Sequence, residues 1–129
     1  MPAASALKVL VVDDQLTMRS LVRNALQAIG VIDIWEAPEG EAGLISLQSS
    51  PINLIITDFN MPKMDGLTFL RAIRTNPATA KKAVIMLSGR SDKELVQRAV
   101  QFGANNYLVK PFTIQTLKDK LEAVFGPLT

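Results

Sequence analysis

The stretch "IITDFNMPKMDGL", residues 55–67, ends an apolar run on a carboxylate. Leu54, Ile55 and Ile56 read as a buried strand, and Asp58 follows two positions later. A second stretch, "KVLVVDD" at 8–14, does the same with Asp13 and Asp14. A buried charge is expensive unless it is paired or bound to a cation. Two apolar strands that each deliver acid to their own carboxyl end therefore point to a common polar crevice where those ends meet.

Working outward, short β-branched runs recur at Leu7–Val12, Val31–Glu36, Ile52–Thr57, Ala83–Leu87 and Asn106–Val109. Helical stripes lie between and after them. Met18, Leu21, Val22, Ala25, Leu26 and Ile29 form the first, Leu95, Val96, Ala99 and Val100 another, and Ile114, Leu117, Leu121 and Val124 the last. Residues 40–49 and 66–74 carry weaker helical patterns. Gly30 and Gly103 stand where helices end, and "SDKE" at 91–94 reads as a capping box. Strand and helix alternate five times, which argues for an α/β fold: a five-stranded parallel sheet with helices on both faces and strand order 2-1-3-4-5. The 129 residues suit one domain, with 1–6 as a short mobile tail.

Composition narrows the chemistry. The chain is 48% hydrophobic and has neither cysteine nor histidine. Disulfides, thiol catalysis, Ser-His triads and histidine metal sites are excluded. No stretch reaches the roughly 20 apolar residues of a membrane span and the amino terminus lacks a signal peptide's basic start, so a cytoplasmic, soluble protein is expected. The net charge of +2 is uneven: residues 1–62 hold three bases and seven acids, residues 63–129 eleven bases and five acids. The bases are scattered along helices without interleaved aromatics, which argues against nucleic-acid binding.

In open α/β sheets, sites form at the carboxyl ends of the strands, where neighbouring connections leave on opposite faces. Strands 1 and 3 are neighbours in the expected order, so Asp13, Asp14 and Asp58 share one crevice. Two charges ~4 Å apart repel by roughly 4 kcal/mol at an effective dielectric of 20. A proton or a cation must offset that. With only oxygen ligands available, the donor set suits Mg²⁺. Taken singly, Asp14 fits a helix N-cap and Asp58 a solvated turn; both strands making the same exception is what favours a metal site. Asp65, in "MDG", fits turn and cap chemistry better.

Two more strand ends reach the same edge. "VIMLSGR" (84–90) delivers Ser88, and "NYLVKPF" (106–112) delivers Lys110 ahead of Pro111, whose X-Pro bond admits a cis form. Alone, Ser88 could be a loop hydroxyl and Lys110 a surface lysine. A divalent cation, a carboxylate, a hydroxyl and an ammonium together make an arrangement for phosphoryl transfer, with a carboxylate as acceptor. Asp58 is the best-placed acceptor because its strand is central.

These residues resemble the receiver domains of two-component response regulators. "VVDD" (11–14), "ITDFNMPKMDGL" (56–67), "LSG" (87–89) and "LVKPF" (108–112) match in order, and the likeness runs from about Leu7 to Phe125. "VVDDQLTMRSLVRNAL" (11–26) is most similar to the stand-alone chemotaxis regulators of that family. The strand order 2-1-3-4-5 is also theirs, so the resemblance carries it as much as the pattern does.

The resemblance implies that Asp58 takes a phosphoryl group from the phosphohistidine of a sensor histidine kinase. It implies that Asp13, Asp58 and the main-chain carbonyl of Asn60 hold Mg²⁺, with Asp14 contacting it through water. Lys110 would pair with the phosphate, Ser88 would turn towards it, and Tyr107 would swing inward. The face built from the fourth helix, fifth strand and fifth helix would then change its affinity for a target such as the flagellar motor switch. A phosphatase is a further implied partner, and a monomer is expected. The chain departs from close relatives at Phe59, where Trp is common, and Arg90 brings a charge to the crevice mouth that is expected, with Asn60, to modulate phosphate turnover.

Other readings remain open at this stage. The domain could come from a longer, multi-domain regulator. A small Mg²⁺-dependent phosphohydrolase would use Asp58 as its nucleophile, but Asn60 stands where such enzymes commonly carry a second Asp. A nucleotide or flavin binder would need a glycine-rich loop where "DDQLT" (13–17) stands.

Overall fold

The computed structural model describes residues 2–90 and 92–129. Five strands alternate with five helices: β1 (Lys8–Val12), α1 (Leu16–Ile29), β2 (Asp33–Ala37), α2 (Gly40–Ser49), β3 (Leu54–Asp58), α3 (Gly66–Thr75), β4 (Ala83–Ser88), α4 (Lys93–Gln101), β5 (Asn106–Val109) and α5 (Ile114–Phe125). All strand pairs are parallel, in the order β2-β1-β3-β4-β5. The expected fold class and order are thus observed.

The alternation of side chains along each strand divides the core in two. Val9, Val11, Leu54, Ile56, Ile85 and Leu87 face α1 and α5. Leu10, Val12, Ile55, Val84 and Met86 face α2, α3 and α4, packing in one cluster with Phe69, Leu70 and Ile73. Because both faces are covered, β3 and β4 are buried along their whole length, which is why they read as unbroken apolar runs.

Several local expectations are refined. Gly30 takes the left-handed conformation (φ 115°), and its N–H reaches back to Gln27 and Leu26. The N–H of Val31 also bonds the Leu26 carbonyl at 3.0 Å. Val31 and Ile32 thus belong to the helix's closing turn, and β2 starts at Asp33 rather than Val31. Leu21, Val100 and Ile114, assigned to core stripes by periodicity, are 51%, 56% and 51% exposed. Leu21 and Ile114 instead border a surface groove of about 320 Å³ with Met18 and Phe112.

Residues 2–6, in the stretch expected as a short mobile tail, make main-chain contacts with the end of the chain. Ala4–Ala6 form a 3₁₀ turn with Ala4 buried, the Ala4 N–H bonds the Thr129 carbonyl, and the Thr129 N–H bonds the Pro2 carbonyl, each at 3.1 Å. The start of the capping box, Ser91, lies outside the described residues. Asp92, next to it, accepts the Gly89 N–H at 2.7 Å rather than capping α4.

Candidate functional site

The carboxyl ends of β1, β3, β4 and β5 converge on one edge. Asp13 follows β1 and is wholly buried; Asp58 is the last residue of β3 and 8% exposed; Asp14 is exposed. One carboxylate oxygen from each lies within 4.8 Å of the others. The main chain places them. The Asp13 N–H continues the sheet onto the Ala37 carbonyl at 3.1 Å, and its Oδ1 accepts the Gln15 N–H at 2.9 Å. Asp13 Oδ2 is buried with no hydrogen-bond partner among the described residues.

Asp58 accepts two hydrogen bonds, both on Oδ1: from the Phe59 N–H at 2.8 Å and from Lys110 Nζ at 3.1 Å. Oδ2 is therefore the oxygen open to a reacting group. Lys110 arrives from the end of β5, where its N–H bonds the Ser88 carbonyl at 2.7 Å and its peptide to Pro111 is cis. Burial, more than anything else, pushes the Asp13 carboxyl above its ordinary value. The Gln15 N–H opposes that, Asp58 and Asp14 add to it, and Lys110 partly relieves it. A buried carboxylate oxygen without a donor, next to two more carboxylates, is a donor set that fits a hard divalent cation.

Ser88 ends β4 with its hydroxyl buried and unpartnered among the described residues. It lines a cavity of about 450 Å³ together with Arg90, Val96 and Tyr107. Tyr107 is 37% exposed, and Lys120 Nζ sits 4.5 Å from the centre of its ring. The ring thus stands outward, beside space that reaches Ser88. Arg90 and Asn60 are exposed at the rim. Asp65 caps α3, its carboxylate accepting the Thr68 N–H at 2.8 Å, as its turn chemistry implied.

Asp13, Asp14 and Asp58 thus cluster, Lys110 bonds Asp58, and Ser88 ends the neighbouring strand at the same edge of the sheet. Residues 9–122 match the sequence profile of the response regulator receiver domain. The chain belongs to the response regulator receiver family.

A Rhizobium etli receiver named "Probable chemotaxis protein CheY" is 53% identical over 128 residues, 99% of each chain. The "Chemotaxis protein CheY" of Pseudomonas aeruginosa is 39% identical, covering 92% of this chain and 96% of that one. Among solved structures, the chemotaxis response regulator CheY4 of Vibrio cholerae superposes with a TM-score of 0.83 at 35% identity, covering 92% of this chain and 98% of that one. This receiver is thus homologous to single-domain chemotaxis regulators: a phosphorylation-activated signalling switch, not a metabolic enzyme. Among the described residues, no helix is long and apolar enough to cross a membrane.

Two residues that touch the main chain beside the receiver's acids were not singled out from the sequence. A side chain on Gly66 would put its Cβ 2.3 Å from the Asp58 carbonyl oxygen, so α3 can close against the end of β3 only with glycine there. The signal was present in "MDG" but read as a turn. Arg19 donates to the Asp13 carbonyl at 2.6 Å. It sits on the polar side of α1 in the sequence, and nothing in its spacing marks that contact.

Proposed function

We propose that Asp58 is the phosphoacceptor of this receiver and that Asp13, Asp14, Asp58 and the main-chain carbonyl of Asn60 form its Mg²⁺ site. Mg²⁺ bound there would neutralise the crowded carboxylates and the oxygens of an incoming phosphoryl group. Asp58 Oδ2 attacks the phosphorus of a phosphohistidine on a sensor histidine kinase. A P–O bond forms as the P–N bond breaks, and the departing imidazole nitrogen takes up a proton. Lys110, held on Asp58 Oδ1 beforehand, is in reach of the new phosphoryl oxygens and offsets their charge. The observation that carries the reading is this pairing: an ammonium bonded to one oxygen of the Asp58 carboxylate, whose other oxygen accepts no hydrogen bond among the described residues.

The response follows from Ser88 and Tyr107. A phosphoryl group adds a charge of about −1.5 to −2 and strong acceptors, and the unpartnered Ser88 hydroxyl turns to donate to it. That movement enlarges the cavity Ser88 shares with Tyr107. The ring gives up its contact with Lys120 and moves in, altering the surface of α4, β5 and α5. A chemotaxis target such as the flagellar motor switch would read that surface, and Arg90 and Asn60 at the rim set the lifetime of the phosphorylated state.

The test is intact mass after incubation with Mg²⁺ and a small acyl phosphate. Wild type gains one phosphoryl group; Asp58→Asn and a magnesium-free control gain none. Equal labelling of Asp58→Asn would remove Asp58 from its role.

A further inference from the structure

The metal end of the site is held by more than its own ligands. The β1–β3 pairing stops at Val12, and the next carbonyl, that of Asp13, takes its hydrogen bond from Arg19 Nη1 at 2.6 Å. Arg19 is itself fixed. Its Nε donates to Glu36 Oε1 at 3.3 Å, while Glu36 Oε2 accepts from Arg23 Nε at 2.8 Å. Arg23 Nη2 continues to the Ile34 carbonyl at 3.1 Å. The chain Arg19–Glu36–Arg23 thus braces α1 against the end of β2 and terminates on the Asp13 carbonyl.

That carbonyl is part of the planar peptide joining Asp13 to Asp14. With the Asp13 N–H on Ala37 and its carbonyl on Arg19, both main-chain polar groups of Asp13 are engaged, and the plane that leads to Asp14 is fixed. From this we infer that Arg19, braced by Glu36, is a positioning residue that presets Asp13 and Asp14 for a divalent cation; the inference rests on the reading of those two acids as metal ligands. An exposed Arg–Glu pair contributes little by itself. Here one guanidinium, only 15% exposed, bonds a carbonyl and a carboxylate at once, which its planar fork allows and a lysine ammonium does not match.

Positioning and simple charge make opposite demands. A cation near the site repels Mg²⁺, so if Arg19 acted only as a charge, removing it would tighten binding. If it positions the ligands, removing it weakens binding, because the peptide must be ordered when the metal arrives. Outer-shell partners of metal ligands are typically worth about 10–100-fold in affinity.

The experiment is calorimetric Mg²⁺ titration of wild type, Arg19→Gln, Arg19→Lys, Glu36→Gln and Asp13→Asn at one pH, with thermal melts to establish folding. Arg19→Gln is expected to raise Kd about tenfold, and Arg19→Lys to fall between it and wild type. Glu36→Gln keeps the cation and loosens the brace, but losing its carboxylate charge by itself also weakens Mg²⁺, so if Arg19→Gln does not fold the test rests on hydrogen exchange in Glu36→Gln. Hydrogen exchange at the Asp14 and Gln15 amides, without metal, speeds up in both. Unchanged or tighter binding in Arg19→Gln, or unchanged exchange at the Asp14 and Gln15 amides in Glu36→Gln if only that variant folds, overturns the inference while the metal reading stands. Wild type and Asp13→Asn binding equally would overturn both.

Discussion

At the amino-terminal edge of the sheet, Arg74 donates five hydrogen bonds: two to the Gly103 carbonyl and one each to the Ala80 carbonyl, the Lys82 carbonyl and Asn105 Oδ1, at 2.6–3.0 Å. Asn105 Oδ1 also accepts the Val84 N–H, Asn53 Oδ1 accepts the Lys8 N–H, and Lys82 Nζ reaches the Ile52 carbonyl. At the carboxyl edge, three carboxylates crowd within 4.8 Å, and the two buried oxygens without a donor among the described residues, Asp13 Oδ2 and Ser88 Oγ, are both there. Polar side chains close both ends of the sheet. What separates them is completeness: the polar groups named at one end are paired with one another, whereas the other end keeps a carboxylate oxygen and a hydroxyl without a partner among the described residues.

Cutting the satisfied end should give the larger loss of stability and spare the site. Arg74→Ala leaves the part-buried carbonyls of Ala80 and Lys82, and the exposed carbonyl of Gly103, without this donor, and about 2–3 kcal/mol is expected from the loss of hydrogen bonds to a charged group. Denaturant melts measure that loss. Arg74→Lys recovers only part of it, because an ammonium cannot span these acceptors. Mg²⁺ affinity should be unchanged in both. An Arg74 variant that weakens Mg²⁺ binding would break the separation between the two ends.

At the other end, Gly66→Ala sharpens the contrast by coupling stability to the site. The new Cβ collides with the Asp58 carbonyl and with Phe59 Cα, both main chain, so α3 must retreat and the end of β3 shifts. A loss of about 2 kcal/mol is expected for such overpacking, together with slower labelling of Asp58 by an acyl phosphate. A variant that lost stability but kept its labelling rate would show that the end of β3 tolerates displacement.

The contrast also explains what could be read from the sequence. The parallel sheet was legible because strands covered on both faces leave long apolar runs, as β3 and β4 do. The acids were legible because they interrupt that pattern twice in the same way. Ser88 and Lys110 were legible through their position after apolar strands and through resemblance. Arg74 and Arg19 were not: each reads as a solvent-facing helix residue, and each bonds main-chain carbonyls, which leave no trace in residue type. The outward turn of Tyr107 was also beyond reach, since it depends on Lys120 and on space beside Ser88. Leu21 and Ile114 match the period of a buried stripe, yet they border an open groove beside Pro111 and Phe112. Periodicity reports a face of a helix, not how far the neighbouring element extends to cover it.

The smallest expected effect concerns the carboxylate itself. Asp13→Asn removes one charge from the crowded edge, and the metal-free protein is expected to gain on the order of 1 kcal/mol in stability at neutral pH while its stabilisation by Mg²⁺ falls away. The pH dependence gives the sign. Burial raises the Asp13 carboxyl in the folded protein above its ordinary value of 3.8, so between that value and the raised one the folded state holds a proton that the unfolded chain has lost. Stability from this group is therefore fully present below 3.8, declines as pH rises through the window, and is flat above it. Other acids contribute to the total, so the quantity to measure is the difference between Asp13→Asn and wild type across a pH series without metal. That difference should be largest near neutrality and close to zero below 3.8, where both forms are uncharged. With saturating Mg²⁺ the order reverses near neutrality, because the bound cation stabilises the charged carboxylate. An advantage of Asp13→Asn that persisted unchanged at low pH would mean that packing, not charge, limits this end of the sheet.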